Sequence, residues 1–155
     1  MTDVDPAAAP SPPEEPVPDA PIYRVMSCES VVFDLADVSP QVHLMEAESP
    51  YRGLSIPIAL PEAVALHQAL THEVGRRPGI HELAATLLAR LRADLIAARI
   101  VRYEGGVFYA ELDLMTPQGH EVVDARTSDA IILALRQGVV SPIMCAETVL
   151  AQFYS

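Results

Sequence analysis

The sequence predicts an α+β fold: a mostly antiparallel β-sheet with helices packed on it, in the order βββααβββαβα. Strand-like segments follow one another across short turns instead of alternating with helices, and hairpin-linked strands with few crossovers favour α+β over a doubly wound sheet. Half of the residues are apolar, enough to bury a core, and aromatics are few, so that core is expected to be mostly Leu, Val, Ile and Ala.

Taken in chain order, Val31, Val32, Phe33 and Leu35 mark a first strand region, and Gln41 to Ala47 a second after the Ser39-Pro40 turn. The Ser49-Pro50 turn leads to a third strand, Tyr51 to Ala59. Pro61-Glu62-Ala63 opens a helix, with Pro suited to the first helical position and Glu to the helix dipole. Gly75 and Pro78 break the chain before a second helix, where Ile80, Leu83, Leu87 and Leu91 fall at helical spacing and read as a core-facing stripe.

A strand follows over Leu95 to Tyr103, and Gly105-Gly106 is a two-residue hairpin signal. The next strand alternates Phe108, Ala110, Leu112 and Leu114 against Tyr109, Glu111 and Asp113, predicting one buried and one wet face. Thr116 to Gly119 is a turn and His120 to Ala125 a further strand; Thr127 or Ser128 is the expected cap of a helix running to about Gln137. Its AIILAL run is apolar nearly all round, which predicts a central position. Pro142 to Ala146 is a last short strand, and Glu147 to Tyr154 a final helix. The segment Pro61 to Leu66 echoes Ser128 to Leu133, each after a strand. That echo fits an internal duplication or a chance match, and it puts Glu62 and Asp129 at like positions in two helices.

The formal charge is −11 over 155 residues, unevenly spread. Residues 1–21 read as a disordered, Pro/Ala-rich acidic tail: they hold Asp3, Asp5, Glu14, Glu15, Asp19 and half of the prolines, with no basic residue. Residues 22–155 read as the folded domain. Acidic surfaces repel phosphate backbones unless bases cluster, which weighs against tight, sequence-independent nucleic-acid binding but not against a local patch on an enzyme. All ten basic residues are arginine, which suits bidentate contacts with phosphate; a GC-rich genome gives the same bias. Cys28 and Cys145 read as buried free thiols rather than a disulfide or zinc framework. No leader pattern is present, nor the roughly 20 apolar residues of a spanning helix, so the expectation is a cytoplasmic protein with no membrane segment. The sheet and apolar content predict a homodimer.

The run Asp124-Ala125-Arg126-Thr127-Ser128-Asp129-Ala130, followed by an apolar helix, resembles the signature of the bifunctional nuclease domain family (DUF151). Leu54 to Ala63 resembles the family's strand leading to a Glu-Ala helix start, and Arg77-Pro78-Gly79-Ile80-His81-Glu82-Leu83 its Arg-Pro and His-Asp-Leu segment. The hairpin from Gly105 to Ala110 and the C-terminal Pro142-Ile143, Glu147 and Val149-Leu150 complete a match spanning Tyr23 to Tyr154. Ala59, Thr127 and Glu82 stand where the family usually has glycine, proline and aspartate.

The resemblance implies a bacterial nuclease that hydrolyses phosphodiester bonds of RNA or DNA. It implies catalytic roles for Asp124, Asp129, Glu62, His81 and Glu82, and substrate contacts from Arg126, Ser128 and Arg77. Asp124, Asp129 and Glu62 would hold Mg²⁺ or Mn²⁺, and no organic cofactor is expected. The same residues also admit plainer roles. Glu62 and Asp129 could stabilise helix starts, Asp124 and Arg126 could pair with each other, and His81-Glu82 could serve a helix N-terminus. His43, His67, His72 and His120 read as surface or satisfied histidines, and no spacing is a recognised metal signature. The alternative function is a non-catalytic interaction or regulatory module with the same fold.

Overall fold

The computed structural model describes residues 20–34, 36 and 39–154. Residues 1–19 of the expected tail, and Leu35 of the expected first strand, lie outside the described residues. The elements are β1 (Tyr23–Asp34), β2 (Ser39–Glu46), β3 (Gly53–Pro57), α1 (Leu60–Leu70), α2 (Ile80–Arg90), β4 (Asp94–Glu104), β5 (Val107–Thr116), β6 (Gly119–Arg126), α3 (Thr127–Leu135), β7 (Ile143–Ala146) and α4 (Glu147–Leu150). Their order is the one the sequence patterning predicts.

Two antiparallel meanders, β1–β3 and β4–β6, are joined into one seven-stranded sheet of order β3-β2-β1-β7-β4-β5-β6. The short β7 fills the seam, antiparallel to β1 and parallel to β4, which makes the sheet mixed. The β4–β5 turn is the expected glycine pair, Gly105 and Gly106 at φ 59° and 80°, closed by the Glu104–Val107 pairing. Each meander runs directly into a helix. The helix α3 buries Thr127, Ser128 and every residue from Ala130 to Ala134, and α1 packs against it and the sheet through Ala63, Leu66 and Ala69.

Four expectations need correction. The first strand starts at Tyr23: its polar stretch Ser27–Ser30 carries no apolar alternation, yet β7 and β2 pair with it in turn, with a register shift between Cys28 and Ser30. The α2 stripe is not core, since Ile80, Leu83, Leu87 and Leu91 are 72%, 43%, 52% and 70% exposed. The helix turns the opposite way, resting Ala84, Ala85 and Leu88 on the core. Neither Thr127 nor Ser128 caps α3; Arg126 is the N-cap residue without a side-chain bond, and the Thr127 hydroxyl donates to the Phe108 carbonyl instead (3.1 Å). The final helix ends at Leu150, after which the chain turns so that the Tyr154 hydroxyl donates to the Gly53 carbonyl on β3 (2.6 Å).

Both cysteines are free, Cys145 buried and Cys28 half-buried. Burial pushes the Cys145 thiol up to about 12 and, with the Glu29 charge adding to it, the Cys28 thiol up to about 11. Both are therefore poor nucleophiles near neutral pH. Among the described residues, no helix is long and apolar enough to cross a membrane.

Candidate functional site

The first turns of three helices converge. β3 and β6 deliver the chain into α1 and α3, which pack on each other, and α2 packs on α3. Glu62 projects from the start of α1, His81 and Glu82 from the start of α2, and Asp129 from the start of α3, with Arg126 at the end of β6. Among the described residues none of the three helix starts carries a side-chain cap, but each has one acid in its first turn, Glu62, Glu82 or Asp129, placed to offset the helix dipole.

One guanidinium ties this junction together. Arg126 Nε donates to Asp129 Oδ2 (2.8 Å), Nη2 to Asp129 Oδ1 (3.3 Å), and Nη1 lies 2.8 Å from Glu62 Oε1. On the far side of Asp129, His81 Nε2 is 2.8 Å from Oδ1. With Asp129 ionised, that nitrogen carries the proton, which leaves His81 Nδ1 as the basic position of the neutral ring. Partial burial works against ionisation of Asp129, but the bonds from Arg126 and His81 outweigh it and hold the carboxyl below its ordinary range. The reciprocal effect, led by the Asp129 bond, raises Arg126 further. Glu82 sits 3.3 Å from Arg136 Nη2. The second oxygen of Glu62, Oε2, is buried and has no hydrogen-bond partner among the described residues.

Two adjoining clefts flank the Arg126–Glu62 pair, which lines both. The larger, about 460 Å³, takes Asp124 and Ser128 as well and is walled by Ile56, Ile58 and Tyr109. The smaller, about 260 Å³, takes His81, Glu82, Asp129 and Arg136. Seven of the eight residues expected from the sequence thus reach one cleft or the other, Glu62, Asp124, Asp129, His81, Glu82, Arg126 and Ser128. Arg77 lines neither cleft and is exposed. Asp124 does not pair with Arg126, and among the described residues its carboxylate makes no hydrogen bond or ion pair.

Sequence reasoning missed Arg136 and Tyr109. Arg136 lies seven residues beyond Asp129, two turns along the same helical face, so a signal for it existed. Tyr109 is the cross-strand partner of Arg126, which only the sheet register reveals.

The expected metal set of Asp124, Asp129 and Glu62 does not fit a divalent ion as the side chains stand. Arg126 occupies the space between Glu62 and Asp129, and among the described residues no three His, Cys, Asp or Glu side chains gather as a metal site. Beside the carboxylates of Glu62, Asp124 and Glu82, the clefts hold a carboxylate–imidazole pair, Asp129 and His81, next to guanidinium groups.

The bifunctional nuclease domain model matches residues 42–154. Two uncharacterized proteins of Mycobacterium tuberculosis, from strains CDC 1551 and H37Rv, are each 39% identical over 113 residues, which is 73% of this chain. The match covers 65% of the length of these curated relatives. With the signature run Asp124–Ala130 forming the β6–α3 corner of the site, the chain belongs to the bifunctional nuclease domain family.

Proposed function

We propose that the chain hydrolyses phosphodiester bonds of RNA or DNA at the junction of His81, Asp129, Arg126 and Glu62. The observation that carries this reading is the His81–Asp129 bond (2.8 Å) in a cleft that Arg126 and Arg136 also line. Family membership points to nucleic-acid chemistry, and the geometry offers parts for it. In the step we envisage, neutral His81 Nδ1 takes a proton from the attacking water, or from a ribose 2′-hydroxyl, as its oxygen bonds to phosphorus. Asp129 orients the ring and stabilises the imidazolium that forms. Arg126, with 69% of its side chain exposed, turns from its carboxylates to the phosphate oxygens and offsets the charge growing there. The leaving oxygen departs with its bonding pair and is protonated by the imidazolium or by water.

A divalent ion on Asp124, Asp129 and Glu62 would first require Arg126 to leave both of its carboxylates. No step above is routed through such an ion. An internal duplication would account for the two meanders, each bringing an acid, Glu62 or Asp129, to the same junction. A non-catalytic module is the second reading. It is favoured by the net charge of −11 and by Arg126 being already satisfied by two carboxylates.

Cleavage of labelled single-stranded RNA and DNA with Mg²⁺, Mn²⁺ or EDTA separates these readings. Wild type should cleave, and folded His81→Ala and Asp129→Asn proteins should be slower by about 10² or more, the range for losing a general base or its orienting partner. Cleavage in EDTA would mean that no divalent ion is needed, whereas cleavage only with Mg²⁺ or Mn²⁺ would restore the metal expectation. Equal rates in wild type and both variants, or no cleavage at all, would remove the hydrolytic reading and leave the interaction module.

A further inference from the structure

The larger cleft contains groups that the hydrolytic step does not use, and they are of a different kind from those in the smaller one. Its lining is largely apolar and aromatic, with Ile56 and Ile58 from the β3–α1 segment and Phe108 and Tyr109 from β5. The Tyr109 ring carries the Arg102 guanidinium 4.0 Å from its centroid, a cation–π contact that fixes the ring and draws electron density from it. A fixed, cation-backed ring at the wall of a slot about 460 Å³ in volume is a stacking surface for a flat heteroaromatic group.

The cleft adds polar groups that no described residue satisfies. Ser128 keeps only 8% of its surface, yet among the described residues its hydroxyl makes no hydrogen bond, although it lines the cleft. The hydroxyl oxygen itself keeps some contact with solvent, so a ligand in the cleft can reach it. Its neighbour Thr127, by contrast, spends its hydroxyl on the Phe108 carbonyl. Asp124, on the same cleft, has a carboxylate with no protein partner among the described residues. Arg126 and Glu62 form the boundary shared with the catalytic junction, so a group bound here adjoins the proposed phosphate position.

We propose that this cleft is a nucleobase subsite: one base of the strand stacks on Tyr109 and sets its N–H edge against Asp124 and Ser128, with its phosphate towards Arg126. A carboxylate accepts two N–H donors side by side, and a hydroxyl can donate to a carbonyl beside them. Guanine presents that combination, with N1–H and N2–H next to O6, and is the base this floor suits best. The proposal rests on the hydrolytic reading for the direction of the phosphate but not for the binding itself.

The test uses the full chain carrying His81→Ala, so that no turnover intervenes, titrated with guanosine 5′-monophosphate and with ribose 5-phosphate. The nucleotide should bind at least tenfold tighter than the sugar phosphate. In the same background Tyr109→Leu should erase that advantage and Tyr109→Phe should keep it, with melting temperature confirming that each is folded. Ser128→Ala and Asp124→Asn should each weaken guanosine monophosphate severalfold and leave ribose 5-phosphate unchanged. Equal affinity for the two probes, no binding of either, or indifference to Tyr109→Leu would overturn the proposal. If wild type cleaves RNA while the nucleotide fails to bind, the base subsite falls and the hydrolytic reading stands. If the nucleotide binds as described while wild type never cleaves, the reverse holds.

Discussion

Two arginines in this protein each grip two carboxylates, with nearly the same distances and opposite surroundings. Arg52 reaches Glu46 and Glu147 at 2.7–2.8 Å, and Arg126 reaches Asp129 and Glu62 at 2.8 Å. The Arg52 side chain is 15% exposed and the Arg126 side chain 69%. Glu46 is closed off: Arg24 Nε donates to one oxygen, and the Arg52 backbone N–H and guanidinium fill the rest. That cluster joins β1, β2, the approach to β3 and α4, and Arg24 also donates to the Ser49 carbonyl (2.7 Å). The Arg126 cluster is left open, with a clamp facing solvent, an imidazole on one carboxylate and an unpaired oxygen on the other. Ion-pair geometry alone therefore does not separate a structural tie from a working site. Burial and completeness of bonding do, because a charge fully enclosed by its partners cannot turn to a ligand without leaving them bare.

The largest effect expected from this contrast is on stability. Glu46→Gln keeps the shape but leaves Arg24 and Arg52 without the charge they surround, and should cost about 3 kcal/mol, at the low end for a broken buried pair because Arg52 retains Glu147. Asp129→Asn, whose carboxylate is 34% exposed, should cost under about 1 kcal/mol. Urea denaturation of the two variants beside wild type measures both. Similar losses at the two positions would erase the distinction between closed and open clusters.

Acid titration sharpens the same comparison. Bonds from Arg52, working against the burial penalty and aided by Arg24, lower the Glu46 carboxyl from 4.5 to about 2. A carboxylate more acidic in the folded state than in the unfolded one contributes stability above the unfolded value and loses it as pH falls towards the folded value. The unfolding free energy should therefore decline between pH 4.5 and about 2, and Glu46→Gln should decline less steeply over that window. Glu147 and Asp129, both lowered, add to the wild-type slope in the same direction. A Glu46→Gln protein with an acid profile parallel to wild type would show that this carboxyl is not linked to folding.

The order of elements was legible because local chemistry writes it: alternation in β5, the Gly105-Gly106 turn, and the unbroken apolar run of α3. The buried acid Glu46 was not read from the sequence, although it shares a strand face with Val42 and Leu44 and all three are buried. The site was legible as a set of residues but not as a bonding pattern. The Arg126–Asp129 contact follows from a spacing of three, whereas His81 and Asp129 stand 48 residues apart, and only the packing of α2 on α3 brings them together. The insertion of β7 between the meanders and the pairing of Tyr109 with Arg126 depend on strand order and register, which periodicity does not encode.

The smallest expected effect concerns α2, where the distinction between closed and open surfaces reappears in apolar form. Its periodicity correctly marked a stripe, but a stripe says only that the helix has an apolar side, not what covers it. In the single chain Leu87 is 52% exposed, whereas Ile131 on α3 is 1% exposed. Leu87→Ala should then change stability by no more than about 0.5 kcal/mol, since it leaves no cavity and alanine favours the helix slightly. Ile131→Ala should cost about 2–5 kcal/mol by the same denaturation measurement. The expected homodimer enters at this point. A second copy seated on α2 would make Leu87 behave like a core residue, with a loss of kilocalories and a denaturation midpoint that rises with protein concentration. Sedimentation of wild type and Leu87→Ala over a range of concentrations decides which kind of surface the stripe is. A monomer in both proteins leaves it open, and a dimer that dissociates in the variant closes it.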